Sequence, residues 1–176
     1  RSKTALDLMP IEWDYGQVVQ YSYDGMNTQA KELMGKDAQY AEEVRGDPRP
    51  LLAKADKVVV GEFSRPYETH VTMSPPAAVA NVTPQRVDVW SFTQNVAATL
   101  LVAANQAGRD PKDVFVHGTF QGGGFGNGNG TDVPRQAVEI SKQLGKPVKV
   151  IWTREEDVTQ ARSRPPRSEE HTSELQ

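Results

Sequence analysis

The 176-residue sequence contains no cysteine. No disulfide framework, thiolate zinc cluster or iron–sulfur ligand set can therefore come from this chain. The three histidines, His70, His117 and His171, are far apart and lack the spacing of metal ligands. His70 and His117 are read as packing or hydrogen-bonding residues. Long apolar runs are missing as well. The longest, Val96 to Ala104, has the length of a short buried helix, well below the ~18 residues of a membrane span. Basic blocks are absent, and 20 Lys and Arg against 23 Asp and Glu give a net charge of −3. Nothing in that balance calls for nucleic acid. The apolar fraction of 37% with 12 prolines fits an ordinary soluble protein of one domain, or one and a half.

Neither end reads as a natural terminus. The chain opens at Arg1, inside what reads as the tail of a helix (SKTALDLM). Its last ten residues, Arg167 to Gln176, match the translation of a common short-read sequencing adapter and are expected to lie outside the fold. Without them 19 basic and 20 acidic residues remain. The rest is expected to be an interior piece of a longer protein, which leaves the compartment open between bacterial cytoplasm and periplasm.

After Pro10 a short strand (IEW) and a turn are expected, then a polar connection from Gln17 with an amphipathic candidate at Thr28 to Met34. Asp47-Pro48 signals a helical turn (PLLAKA), and Ala55 to Ser64 reads as a strand. Ala77 to Val82 and Arg86 to Trp90 flank Thr83-Pro84-Gln85 as a hairpin. Thr93 can cap a helix running to about Ala107, closed by Gly108. Being apolar almost all round, that helix is expected to be buried on several sides.

From Val114 to Trp152 the chain reads strand (VFVHGTF), glycine loop (QGGGFGNGNG), helix (TDVPRQAVEISKQLG), strand (PVKVIW). In the helix, Val133, Ala137, Ile140 and Leu144 are placed on one face, Pro134 suits the first turn and Gly145 the end. The order of elements predicts an α+β (mixed α/β) fold.

The loop packs six glycines, at 122, 123, 124, 126, 128 and 130, into nine residues. Each costs roughly 0.5–1 kcal/mol to order relative to Ala. Such a loop is expected where backbone N–H groups must lie against something bulky and anionic at a helix N-terminus. A flexible linker is the alternative, but linkers rarely separate a strand from a strongly patterned helix. A P-loop would need a lysine where Asn129-Gly130-Thr131 stands. A dinucleotide fingerprint needs glycines at i, i+2 and i+5. Here the third place is taken by Asn127, Asn129, Thr131 or Val133 in turn.

A second constellation is Trp90-Ser91-Phe92-Thr93-Gln94-Asn95, with Gln94 at the start of the apolar helix. Taken alone, such a Gln is an exposed residue making local hydrogen bonds. The series W-x-x-T-Q-N, apolar helix, strand, GGGFG closely resembles the molybdopterin-binding large subunit of the molybdenum hydroxylases. That family includes xanthine dehydrogenases, aldehyde oxidases and the isoquinoline 1-oxidoreductase type, to which the chain is closest. GEFSRPYETH (Gly61 to His70) and GKPVKVIWTREED (Gly145 to Asp157) are similar to flanking segments of the same family.

The resemblance implies that 58–166 is part of a molybdopterin-binding domain. Residues 1–16 would be the end of a preceding hammerhead-type α/β domain and 17–57 a connecting segment. It implies that Gln94 hydrogen-bonds an oxo group of molybdenum, and that Gly122, Gly123, Gly124, Phe125 and Gly126 lie against the cofactor. Phe125 is also a candidate core plug. Asn129 stands where xanthine-oxidising members carry a Glu, so a purine pocket is not expected. Met73-Ser74-Pro75 departs from the M-E-P of many relatives. The catalytic base, a glutamate, is expected downstream of the chain. Glu155, Glu156 and Asp157 are read as a solvated acidic face in a strand-end turn.

The implied reaction is hydroxylation of an aldehyde or N-heteroaromatic carbon with water-derived oxygen. The cofactor would be molybdopterin, as its cytosine dinucleotide, with [2Fe–2S] clusters on a small partner subunit. Two other classes stay open at this point. One is a nucleotide-binding α/β enzyme using the loop for phosphate, and the other is a non-catalytic interaction scaffold.

Overall fold

A computed structural model describes residues 8–17, 21–34, 36 and 46–174. The chain divides into two compact units, one formed by residues 1–66 and 166–176 and the other by Tyr67–Pro165.

In the first unit, helix α1 (Tyr23–Met34) begins five residues earlier than the amphipathic pattern marks. Ile11 to Trp13 form no strand. The expected helix tail before them falls mostly on residues outside the described ones. Asp47-Pro48 starts the short α2 (Arg49–Leu52), with Asp47 Oδ1 accepting from the N–H of Arg49 at 3.1 Å. Strand β1 (Val58–Arg65) pairs antiparallel with β6 (Arg167–Glu174), Val58 opposite Glu174 and Arg65 opposite Arg167. The last segment, expected to stay outside the fold, thus supplies a strand. An open strand edge offers a row of N–H and C=O groups that any extended segment can pair with. Such pairing asks nothing of the side chains. Val58, Val59, Val60 and Phe63 remain exposed, because a two-stranded ribbon buries little by itself.

The second unit holds the apolar core of the described residues. Its sheet has the order β4-β3-β2-β5, with β2 (Ala77–Val82), β3 (Val87–Ser91), β4 (Val114–Gly118) and β5 (Val148–Ile151). β2 is antiparallel to β3 and to β5, while β3 and β4 run parallel. The hairpin closes as the sequence predicts, with Thr83 Oγ1 donating to the carbonyl of Arg86 at 2.8 Å. Parallel β3 and β4 require a crossover. Helix α3 (Val96–Ala107) provides it.

One face of the sheet, carrying Ala78, Ala80, Val87, Val89 and Val114, is covered by α3 and by α4 (Asp132–Leu144). Two details of these helices differ from expectation. α3 is buried along Thr99, Ala103, Ala104 and Ala107 only, and Leu101 is 53% exposed. An apolar sequence makes burial favourable wherever a partner exists, and here the sheet covers one side. In α4 the buried set is Val133, Pro134, Ala137, Val138 and Ser141, whereas Ile140 and Leu144 face outward. Ser141 belongs inside because its Oγ accepts from the N–H of Val82 and donates to the carbonyl of Lys146. Both helices end on left-handed glycines, Gly108 and Gly145, as predicted.

The opposite face of β3 and β4 carries Asp88, Trp90, Phe115 and His117. Asp88 accepts from Arg86 and from His117 Nε2 at 2.8 Å. The His117 ring stacks on Trp90 with centroids 4.8 Å apart, and the Arg86 guanidinium lies 4.3 Å from the Phe115 ring centroid. No helix among the described residues is long and apolar enough to cross a membrane.

Candidate functional site around Gln94 and the glycine loop

The helix cap places Gln94. Asn95, rather than Thr93, is the N-cap of α3, and its Oδ1 accepts from the N–H of Ala98 at 3.0 Å. Thr93 sits two residues further back, with Oγ1 accepting from the N–H of Asn95. An N-cap residue leaves helical geometry, so Gln94 is turned out of the helix and back towards the segment after β4. The N–H of Gln94 donates to the carbonyl of Gly128 at 2.9 Å.

Its side chain closes the contact. Gln94 Oε1 accepts from the N–H of Gly126 at 3.0 Å and from the N–H of Gly128 at 3.1 Å. Two N–H donors at one atom require that atom to be oxygen, which fixes the sense of the carboxamide. Nε2 consequently lies on the other side, with no partner among the described residues.

The glycines are explained by what they touch. A Cβ at Gly124 would come within 2.4 Å of Gln94 Cδ and Oε1, and one at Gly128 within 2.9 Å of Gln94 Cγ. A Cβ at Gly122 would meet Met73 Cβ and the Ser74 N at 2.8 Å. Gly122, Gly124 and Gly128 are therefore small to admit the protein's own segments, where the sequence suggests a ligand as the cause of that closeness. Gly123 and Gly126 have φ of 86° and 101°, a region open to glycine. Phe125 lies between them at φ 49° and is 62% exposed, so it does not plug the core. Its carbonyl accepts from Arg164 Nη2 at 3.2 Å. Asn129 is exposed, and its Nδ2 donates to the carbonyl of Gly126 at 3.1 Å.

All seven predicted site residues thus gather around one bend, Gln94 on one element and 122–129 on another. Gly126 enters as a partner of Gln94, its N–H already engaged. The N–H groups of Gly122, Gly123, Gly124 and Phe125 donate to nothing among the described residues, although Gly124 is buried. Buried backbone donors without partners are rare in folded proteins. With Gln94 Nε2 they form a set of donors that carries no titrating group. Such a set suits an oxo or other anionic oxygen ligand, and in that respect the residues present fit a molybdenum cofactor. Among the described residues no group of three or more His, Asp or Glu side chains could hold a bare metal ion.

Sequence reasoning missed the polar groups next to the loop. Asp157 is not on a solvated face: it is 2% exposed, inside helix α5 (Arg154–Gln160), where a turn was expected. Thr153 and Glu156 form a capping box at the start of that helix. Asp157 pairs with Arg154 and accepts from Nδ2 of the buried Asn127 at 3.3 Å. Threonine followed three residues on by glutamate was the available signal for the helix. Glu155 and Glu156 are exposed, as read. His70 Nδ1 lies 3.0 Å from the carbonyl of Arg162, consistent with a hydrogen-bonding role.

Residues 32–172 match the family model described as the molybdopterin cofactor-binding domain. One of the subunits of nicotinate dehydrogenase from Pseudomonas putida is 28% identical over 113 residues, covering 64% of this chain and 10% of that protein. Quinoline 2-oxidoreductase from Pseudomonas putida 86 superposes with a TM-score of 0.64 at 26% identity, over 73% of this chain and 17% of that one. The aldehyde oxidoreductase of Desulfovibrio gigas shares the fold at a TM-score of 0.61 and 22% identity, over 69% and 14%. The chain spans about a tenth to a sixth of the length of these relatives. It belongs to the molybdopterin cofactor-binding domain family of the molybdenum hydroxylases.

Proposed function

We propose that this chain supplies one part of the cofactor cradle in an oxidoreductase that hydroxylates an aldehyde or N-heteroaromatic carbon with water-derived oxygen. The observation that carries this reading is the carboxamide of Gln94, fixed by the N–H groups of Gly126 and Gly128 with Nε2 left over as a donor. In this role Gln94 offers hydrogen bonds to an anionic oxygen without changing charge at any working pH. The N–H groups of Gly122, Gly123, Gly124 and Phe125 add donors that need no reorganisation, which is what makes preorganised dipoles effective. When bound, the molybdenum cofactor supplies two-electron redox chemistry that no side chain here can supply.

Asn129 is read as a substrate-side residue, standing where purine oxidisers carry a glutamate. An N-heteroaromatic substrate is supported by two relatives of more than 25% identity that are named for such rings. The cofactor is read as molybdopterin cytosine dinucleotide. Electrons would leave through [2Fe–2S] clusters that this chain, without cysteine, does not hold; of a separate small subunit and further sequence of the same protein, the resemblance favours the small partner subunit. Residues 58–166 are read as the cofactor-domain portion and 1–16 as the end of the domain before it. No catalytic base is assigned within the chain, and by itself it is expected to show no turnover.

Binding of the isolated molybdenum-loaded molybdopterin cofactor, followed by quenching of pterin fluorescence, tests the reading. The wild-type chain should bind and Gln94→Ala should bind at least about tenfold more weakly, one charge-assisted hydrogen bond being worth ~1.5–3 kcal/mol. Equal affinity of the two would favour a loop that serves only as a protein-contact surface. Preference for ATP or NAD over molybdopterin would favour a nucleotide site.

A further inference from the structure

Two non-glycine residues among those described have positive φ, Val71 at 41° and Phe125 at 49°. For a β-branched residue this is a true outlier, and such strain persists only where the surroundings over-determine the backbone. Val71 is half exposed, so packing of its own side chain does not hold it there. What does hold the segment is one ion pair. Arg154 Nη1 bonds to the buried Asp157, while Arg154 Nη2 donates to the carbonyls of Thr72 and Met73. Thr72 is fully buried, and its Oγ1 donates to the carbonyl of Ser74 at 2.7 Å. The N–H of Met73 then donates to the carbonyl of Gly122 at 3.2 Å, where the missing Cβ lets Ser74 approach. From its other side the ion pair reaches the loop again, through Asp157 and the carboxamide of Asn127.

We propose that Arg154 and Asp157 are positioning residues that set the shape of the glycine loop from both ends, Arg154 through Met73 to Gly122 and Asp157 through Asn127. Neither touches the donors at 122–125 directly. A guanidinium is needed because one planar group must serve a carboxylate and two carbonyls together, which a lysine ammonium on a flexible stem does not do. A buried carboxylate is needed because it alone accepts from Arg154 and Asn127 at once. The proposal rests on the site described above, but its test does not require cofactor.

The test is site-resolved amide hydrogen exchange on the full 176-residue chain. Asp157→Asn should accelerate exchange at Gly126, Gly128 and Met73 at least tenfold more than at amides in the centres of β2 and β3, as expected of a local opening. Arg154→Lys keeps the charge pair and should divide the two arms: Met73 becomes fast while Gly128 stays protected. Asn127→Ala should do the opposite. Loop amides that stay slow in Asp157→Asn, or acceleration of equal size throughout the sheet, would overturn the proposal, the second outcome showing only a contribution to global stability. Should Asp157→Asn fail to fold, the opposed patterns of Arg154→Lys and Asn127→Ala still decide the matter, and identical patterns in those two variants would refute it. If wild-type binds no molybdopterin yet these patterns appear, the functional reading fails and the positioning role stands.

Discussion

Asp88 and Asp157 are both buried carboxylates of the Tyr67–Pro165 unit, each paired with an arginine, yet they organise different things. Asp88 works within the sheet: Arg86 is two residues away on the same chain segment and His117 lies on the adjacent strand. Its partners would be near neighbours in any structure that formed β3 and β4. Asp157 and Arg154 connect backbone around position 72, the loop at 127 and a helix that starts at 154, which are brought together only by the completed fold. The first cluster decorates a surface that the apolar core has already made. The second holds irregular backbone that has no core of its own. Glycine-rich segments bury little and lose much conformational freedom on ordering, so their shape must come from directional polar contacts.

Substitutions can break or sharpen this contrast. The largest effect is expected at Gly124→Ala, where the added methyl would lie 2.4 Å from Gln94 Cδ. Overpacking of this kind costs about 1–3 kcal/mol, and here it also displaces the carboxamide, so molybdopterin binding should vanish while far-UV circular dichroism is kept. Asp157→Ala comes next. It strips Arg154 and Asn127 of a buried partner, and chemical denaturation should show a loss of about 2 kcal/mol. Asp88→Ala should cost less, about 1 kcal/mol, because Arg86 is half exposed and can turn to water. If the Asp88 variant were the more damaged of the two, the division of roles would be wrong.

The smallest effect is one of pH. Hydrogen bonding to Arg86 first, and to His117 after it, holds the Asp88 carboxyl below its ordinary 3.8, against the opposing pull of burial. A carboxyl depressed in the folded state contributes stability above its unfolded value and loses it as pH falls through the folded one. The difference in urea midpoint between wild-type and Asp88→Asn should shrink as pH falls through and below the ordinary carboxylate range. A gap that keeps widening below that range would contradict the assigned geometry.

The division between the two clusters is also a division in what the residues disclose. The hairpin, β4, the glycine loop, the fourth helix and the closing glycines at 108 and 145 are all local signals, and each was legible. So was the joint occurrence of T-Q-N and GGGFG, which placed Gln94 beside a loop more than 25 residues away. Choice of buried face was not legible in α3 or α4. Ser141 goes inside for hydrogen bonds and Leu144 stays out because nothing among the described residues covers it, and periodicity of apolar residues records neither. Asp157 was misread for a related reason. Three adjacent acids suggest solvent, and only the position of Arg154 and Asn127 in space makes one of them interior. Arg167 to Glu174 form a strand paired with Val58–Arg65, and an open strand edge accepts an extended segment whatever its apolar pattern.

Gln94→Glu tests the central claim most directly. A carboxylate at that position still accepts from the N–H groups of Gly126 and Gly128, but it has no hydrogen to offer a ligand oxygen. Amide exchange at those two glycines should stay within about twofold of wild-type, one hydrogen-bond acceptor having replaced another, while affinity for molybdenum-loaded molybdopterin falls tenfold or more. Undiminished molybdopterin binding with the loop intact would mean that the Gln94 amide is a structural clasp and nothing else, and the cofactor-cradle assignment at this bend would be lost.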